Sequence, residues 1–446
     1  MQKRRVDIFV VAFALFAMFV GAGNIIFPIY LGAKSSQHYL LSSMSFICSS
    51  VGLPILAFIA VARAGGHADD IAKIISPGFA AFLNIIIITI IGPLFAIPRT
   101  AATTYELTVL PYVNNAGSNV LLRVIVATLF FIFCLYFVIT PTKTVDKIGK
   151  FLTPVIIIFC TILIAVSFIT GRVPEYENTI NGVLGGSLNQ SVAKSFALGY
   201  QTMDALAAIV FSGTIFLTLK NKGYGGKVLQ KNTLIVAGIT AVFLLLLYLG
   251  LINIGHQYGD KLINLNEKTR ITTEAVRLLL GDYGQFILAM IILFACTTTA
   301  IGLIVTAAGY FHNLLNKQIP YMTIVAAIII LSFFMSIIGV EGIVNVAGPV
   351  LEIIYPIVIS LVIVSFFGNL LKKRWIYITA ISITIPFSIM NILLGFKSFE
   401  TFASDVLSLF PLGSIGIGFI APLAVFLTTI YVIEKRRQYR NNKASR

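Results

Sequence analysis

The chain has 446 residues, of which 58% are hydrophobic and 11% charged, with a net charge of +15. An ordinary soluble domain is roughly 25% charged, so a water-soluble core cannot account for this much apolar surface. The basic excess is placed in short clusters between apolar runs, which points to membrane topology rather than to nucleic-acid binding.

A bilayer span needs about 20 mostly apolar residues, and the chain supplies about twelve such runs, predicting an all-α integral membrane protein. In chain order they fall near 8–31, 40–62, 79–97, 119–139, 148–169, 195–219, 233–254, 285–311, 320–339, 343–367, 375–395 and 411–433. The first run follows Lys3, Arg4 and Arg5, but it is too long for a signal peptide and no small-residue cleavage site follows. It contains Gly21-Ala22-Gly23-Asn24 and then Pro28, where unwinding is cheap. Span six carries a similar interruption at Gly199-Tyr200-Gln201-Thr202-Met203-Asp204.

With an even number of spans and basic ends, both termini are expected in the cytoplasm, and five spans in the first half force spans six to ten to run in the opposite sense. That is a five-plus-five inverted repeat with broken helices one and six, the plan of many secondary transporters. The expected units are 1–170 (spans one to five), 195–367 (spans six to ten), 375–433 (two further helices) and a basic tail at 434–446. Unwound backbone survives in a membrane only where it lines a cavity or binds something; small residues that allow close helix packing are the alternative.

With this topology the inner segments carry roughly twice the Lys and Arg of the outer ones. The inner clusters are Lys143, Lys147 and Lys150; Lys220, Lys222, Lys227 and Lys231; Lys372, Lys373 and Arg374; and Lys435, Arg436, Arg437 and Arg440. The connection at 255–284 mixes both signs. Within it, Thr272-Thr273-Glu274 leads into an apolar stretch that stops at Gly281, predicting a short helix that serves as an outer lid or lies on the membrane surface.

Cys48, Cys134, Cys160 and Cys296 lie inside apolar runs without ligand spacing, and no phosphate-binding loop is present, so neither a structural metal nor an ATP motor is expected. No paired carboxylates, HExxH or Ser/His arrangement lies at membrane depth, which argues against an enzyme. Channel pore loops and charged rings are also missing from the sequence.

An intramembrane carboxylate costs roughly 2.5–3.5 kcal/mol on insertion scales, which singles out Asp204. It could meet a substrate ammonium, a coupling cation or a proton, or form a structural pair. Glu352 follows the Gly348-Pro349 kink of span ten. Arg99 and Glu106 extend span three on the outer side, about 10.5 Å apart along one helix face; these three are gate or pairing candidates. In span eight, Ala295, Thr298 and Thr299 could offer a carbonyl and two hydroxyls to an alkali cation, or the hydroxyls could simply bond their own helix.

Phe13 to Pro28 (FALFAMFVGAGNIIFP), Pro98 to Glu106 (PRTAATTYE), Pro141 to Pro154 (PTKTVDKIGKFLTP) and Gly199 to Phe211 (GYQTMDALAAIVF) together resemble the branched-chain amino acid:cation symporter family. These are bacterial carriers for leucine, isoleucine and valine. The resemblance covers nearly the whole chain, and it implies a leucine-transporter-like fold in the bacterial plasma membrane. It further implies import of those amino acids with a cation, Na+ favoured over H+, and no cofactor, nucleic acid or ATP-binding subunit. The carboxylate is then held by amides near Ala22 and Gly23, beside Asn24. The cation lies between the carbonyls of Ala17 and Val20 and the group Ala295, Thr298 and Thr299. Carbonyls or Asp204 meet the ammonium, while Phe19 and Tyr200 surround the aliphatic tail.

Overall fold

A computed structural model describes residues 2–113, 120–139, 148–175, 187–367, 371, 373–396, 398–413 and 416–444. The basic residues Lys143, Lys147 and Lys372, and the first part of the Pro141 to Pro154 segment, lie outside the described residues, as do the side chains of Lys3, Arg4, Arg5 and Arg440. The described residues are mostly helical, with no β-strand among them.

Span one is α1 (Gln2–Phe19) and α2 (Ala22–Lys34), bent by 66° at Val20-Gly21. Span two joins α3 (Tyr39–Ile47) to α4 (Leu53–Ala64) through a π-turn at Cys48–Gly52. Span three joins α5 (Pro77–Thr89) to α6 (Ala96–Thr108) through a second π-turn, Ile90–Leu94. There Pro93 has no N–H to donate and Gly92 leaves helical geometry, the ordinary cause of a sharp kink. Spans four and five are α7 (Val120–Val138) and α8 (Thr153–Thr170).

Span six breaks between α9 (Leu188–Tyr200) and α10 (Asp204–Asn221). Its linker ends at Met203, whose φ of +65° is a left-handed conformation that a side chain of this kind rarely adopts and that clusters at functional sites. Beyond it run α11 (Gly226–Gln257), α12 (Lys268–Leu314), α13 (Tyr321–Ser336), α14 (Val340–Phe366), α15 (Arg374–Leu393), the short α16 (Glu400–Ser408) and α17 (Ile420–Ala444).

Each of the twelve expected positions holds a helix. Among the described residues, nine helices or helical runs are long and apolar enough to cross a membrane, ten counting the bent pair of span one. Helix α13 is shorter, at 16 residues, and the second half of α17 is polar. The tail expected from residue 434 continues α17 as helix, because Glu434-Lys435-Arg436-Arg437 are good helix formers with no Gly or Pro to stop them. The helix expected at 272–280 begins earlier, at Lys268, and turns at Gly281, where φ is +62°. Span three also runs on past 97, to Tyr112.

Helix α2 packs closely on α11 through reciprocal glycines. A Cβ on Gly32 would lie 2.0 Å from the Ile252 carbonyl oxygen, and one on Gly255 would lie 2.0 Å from that of Ile29. Gly255→Ala is therefore expected to lower the thermal midpoint in detergent by an overpacking cost of about 1–3 kcal/mol. Gly238→Ala, on the same helix where a Cβ meets nothing within 4 Å, is the control and should not.

Polar contacts join helices at both ends of the bundle. At the end where α2 finishes, the Lys34 ammonium donates to the carbonyls of Ile263 and Leu265, each at 2.6 Å, and Lys268 pairs with Glu341 at 2.5 Å. Beyond the end of α8, Arg172 makes a two-pronged contact with Asp260 at 2.8 and 2.5 Å. The guanidinium hydrogen bonds hold the Asp260 carboxyl below its ordinary range. The pair therefore favours the folded state above that range, and the contribution is lost as pH falls through the lowered value. At the opposite end Lys222 pairs with Asp7 at 3.4 Å.

Candidate functional site

The two broken spans meet at a small cavity of about 20 Å³, roughly the room of a single water molecule. Its wall combines Gly21, Ala22 and Asn24 of span one, Thr202, Met203 and Asp204 of span six, Arg99 of span three and Thr299 of span eight. Phe19 and Phe211 supply an apolar side, their rings edge to face with centroids 5.6 Å apart.

The break in span one is built locally. Gly21 is extended (φ −118°, ψ −162°), and its N–H donates to the Asn24 Oδ1 at 3.2 Å, capping the start of α2. Helix geometry then leaves the first amides of α2, those of Ala22 and Gly23, without intrahelical acceptors, at the positive end of the helix dipole. Such an end is a ready-made site for a carboxylate.

Asp204, 2% exposed, opens α10. Its Oδ2 accepts from the Asn24 amide at 2.6 Å and from the Tyr248 hydroxyl at 2.7 Å. The Asn24 amide also contacts the Tyr248 hydroxyl at 2.5 Å. The carboxylate thus ties span one, span six and α11 together at one point. A charge this deeply buried is tolerated only where hydrogen bonds satisfy it.

Thr298 and Thr299 of α12 face the end of α1. The Thr298 hydroxyl reaches the carbonyls of Ala17 (2.7 Å) and Ala295 (2.9 Å). The Thr299 hydroxyl reaches those of Met18 (2.9 Å) and Val20 (3.1 Å), with Ala17 at 3.5 Å. Five oxygens named from the sequence, on Ala17, Val20, Ala295, Thr298 and Thr299, are therefore gathered at the negative end of a half-helix. Hard oxygens in this number suit an alkali cation. Among the described residues no group of three His, Cys, Asp or Glu could hold a transition metal.

Other candidates are placed differently from the sequence-based expectation. Arg99, expected on the outer side, is 3% exposed in the cavity wall, because the kink at Ile90–Leu94 redirects α6 across the breaks. It does not meet Glu106. The Glu106 Oε1 instead accepts from the Val340 N–H at 2.9 Å, satisfying an amide in the first turn of α14. Tyr200 stacks on Tyr355 with centroids 4.2 Å apart, outside the residues that line the cavity. Glu352 is half-buried on α14 and also lies outside that wall.

Sequence reasoning missed Tyr248, Phe211 and Met203. The phenol of Tyr248, fully buried in an otherwise apolar run, was the one available signal, since a buried hydroxyl needs a partner. Phe211 and Met203 look in sequence like any other apolar membrane residues.

Solved structures share this architecture at low identity. MHP1, a nucleobase-cation-symport-1 family transporter in a closed conformation, aligns with a TM-score of 0.58 at 13% identity, over 96% of this chain and 93% of its own. An Eremococcus coleocola manganese transporter aligns at 0.56 and 15% identity, over 97% and 96%. MhsT in complex with L-phenylalanine aligns at 0.50 and 17% identity, over 95% and 98%. These likenesses establish the transporter fold.

Sequence relatives are nearer. A putative branched-chain amino acid carrier protein of Staphylococcus aureus (strain MRSA252) is 33% identical over 443 residues, 96% of this chain and 98% of the relative. One from Staphylococcus epidermidis (strain ATCC 12228) is 35% identical over 381 residues, 82% and 83%. The protein is a multi-pass carrier of the bacterial membrane and not an enzyme; with residues 4–437 matching the model of the branched-chain amino acid transport proteins, the chain belongs to that family.

Proposed function

We propose that the protein imports leucine, isoleucine and valine by symport with Na+, through alternating access between two inverted halves, spans one to five and six to ten. The observation that carries the coupling is the five-oxygen cluster where α12 meets the end of α1. A cation bound there draws the two helices together, orders the backbone at Val20-Gly21 and so completes the amino acid site next to it. The amides of Ala22 and Gly23 hold the carboxylate, Asp204 and the carbonyls of the breaks meet the ammonium, and Phe19 and Phe211 cover the aliphatic tail. Both termini are cytoplasmic in this reading, so the Lys34, Lys268 and Arg172 contacts close the outer side.

Leucine uptake into proteoliposomes under imposed Na+ or H+ gradients tests the proposal. A Na+ gradient should drive accumulation, while an H+ gradient alone should not. Accumulation driven by H+ alone would transfer the coupling role to the buried Asp204 carboxylate, the one group in the cavity wall able to carry a proton at that step.

Apolar pockets separate single methylenes by only about 1–3 kcal/mol, so leucine, isoleucine and valine should compete for uptake within about a hundredfold in affinity. Lysine and glutamate carry a third charge into a wall that offers one of each sign, and they should not compete. Equal inhibition by charged amino acids would rule out the branched-chain assignment.

A further inference from the structure

The two broken spans each end a half-helix inside the membrane, leaving carbonyls that the helix cannot satisfy. At the end of α1 the carbonyls of Ala17, Met18 and Val20 accept from the neutral hydroxyls of Thr298 and Thr299. Just beyond α9, where its own last carbonyls accept from the linker amides, the linker carbonyls meet a charge. The Arg99 Nη1 donates to the Gln201 carbonyl at 2.6 Å and Nη2 approaches that of Thr202 at 3.4 Å. The guanidinium lies over the Phe27 ring, 5.5 Å from its centroid. The site is tightly shaped around it, since a Cβ on Gly23 would come within 2.8 Å of Nη2.

We infer that Arg99 is a built-in cation at the span-six break, standing in for a second coupling ion, so that one external cation moves with each substrate. The inference rests on the cation-symport reading above. Arg99 and Asp204 are the charged residues of the cavity wall, and their charges cancel. A zwitterionic amino acid adds no net charge. One cation at the α1 end leaves the occupied site at a single positive charge, whereas a second would place two positive charges in a low-dielectric interior where like charges repel strongly. Arginine suits the role because it stays protonated and presents a planar fork that can span two carbonyls.

The first test uses the wild-type protein in proteoliposomes held at zero membrane potential. Against a tenfold Na+ gradient, net leucine flux should stop when leucine is concentrated about tenfold, the balance for one cation. A balance near a hundredfold means two cations and overturns the inference while leaving symport intact. Flux indifferent to every cation gradient strikes the symport reading itself, and this inference with it.

The second test measures leucine binding to purified Arg99→Gln and Arg99→Lys as Na+ is varied. Arg99→Gln should bind at least about tenfold more weakly, with a steeper, second-order dependence on Na+, as a free ion takes the vacated place. Arg99→Lys, which keeps the charge, should stay first order. First-order dependence with wild-type affinity in Arg99→Gln overturns the assignment.

Discussion

Asp204→Asn is expected to abolish gradient-driven leucine uptake while leaving insertion and folding intact. Asn is nearly isosteric and retains an acceptor for the Tyr248 hydroxyl and the Asn24 amide. What it removes is the negative charge that, in the proposed mechanism, meets the substrate ammonium and balances Arg99. Truncating one partner of a buried charge contact costs about 2–5 kcal/mol of binding, which is a loss of about thirtyfold or more in apparent affinity. Size-exclusion profile and thermal midpoint report on folding, and labelled leucine uptake reports on function. Asp204→Glu keeps the charge and should retain partial uptake. Near-normal uptake by the Asn variant would reduce Asp204 to a packing contact, since intramembrane hydrogen bonds average only about 0.6 kcal/mol.

The second large effect is expected at the threonines. Thr298→Ala and Thr299→Ala each remove one of the five oxygens at the α1 end, and a hydrogen bond or ligand to a charged group is worth about 1.5–3 kcal/mol. Each change should raise the Na+ concentration for half-maximal uptake by about tenfold or more, and the double variant should lose Na+ dependence in the accessible range. Thr297→Ala is the matched control. Its hydroxyl bonds the Leu293 carbonyl of its own helix, so the cation dependence should not move. If the double variant keeps wild-type Na+ dependence at normal expression, these hydroxyls serve only to pack α12 on α1.

Much of the architecture could be read without a structure. A bilayer imposes its demands locally, so runs of apolar residues mark spans, and residues that break helices or carry charge inside such runs mark what the membrane would otherwise reject. For this reason the breaks at Gly21 and at Gln201 to Met203, and a buried carboxylate at Asp204, were legible. Helix periodicity put Ala295, Thr298 and Thr299 on one face, because residues three and four apart share it, and the family resemblance supplied the facing carbonyls.

The partners were not legible in the same way. Asn24 and Asp204 are separated by 180 positions and Tyr248 is 224 from Asn24; the meeting of Thr299 with Val20, across 279, was expected from the family resemblance and not from the residues themselves. No local pattern encodes those meetings. Arg99 shows the difference most clearly: helix rise measured along the sequence puts it toward the outer end of span three, whereas the π-turn at Ile90–Leu94 carries it to the span-six carbonyls. By itself the sequence determined the class of protein, the positions of its spans and the residues too costly to bury idly, all of them consequences of each segment's own contact with lipid. Which of those residues face one another was decided only in the tertiary structure, because crossing angles, kinks and close glycine contacts between distant helices set the distances on which charge pairing and ligation depend.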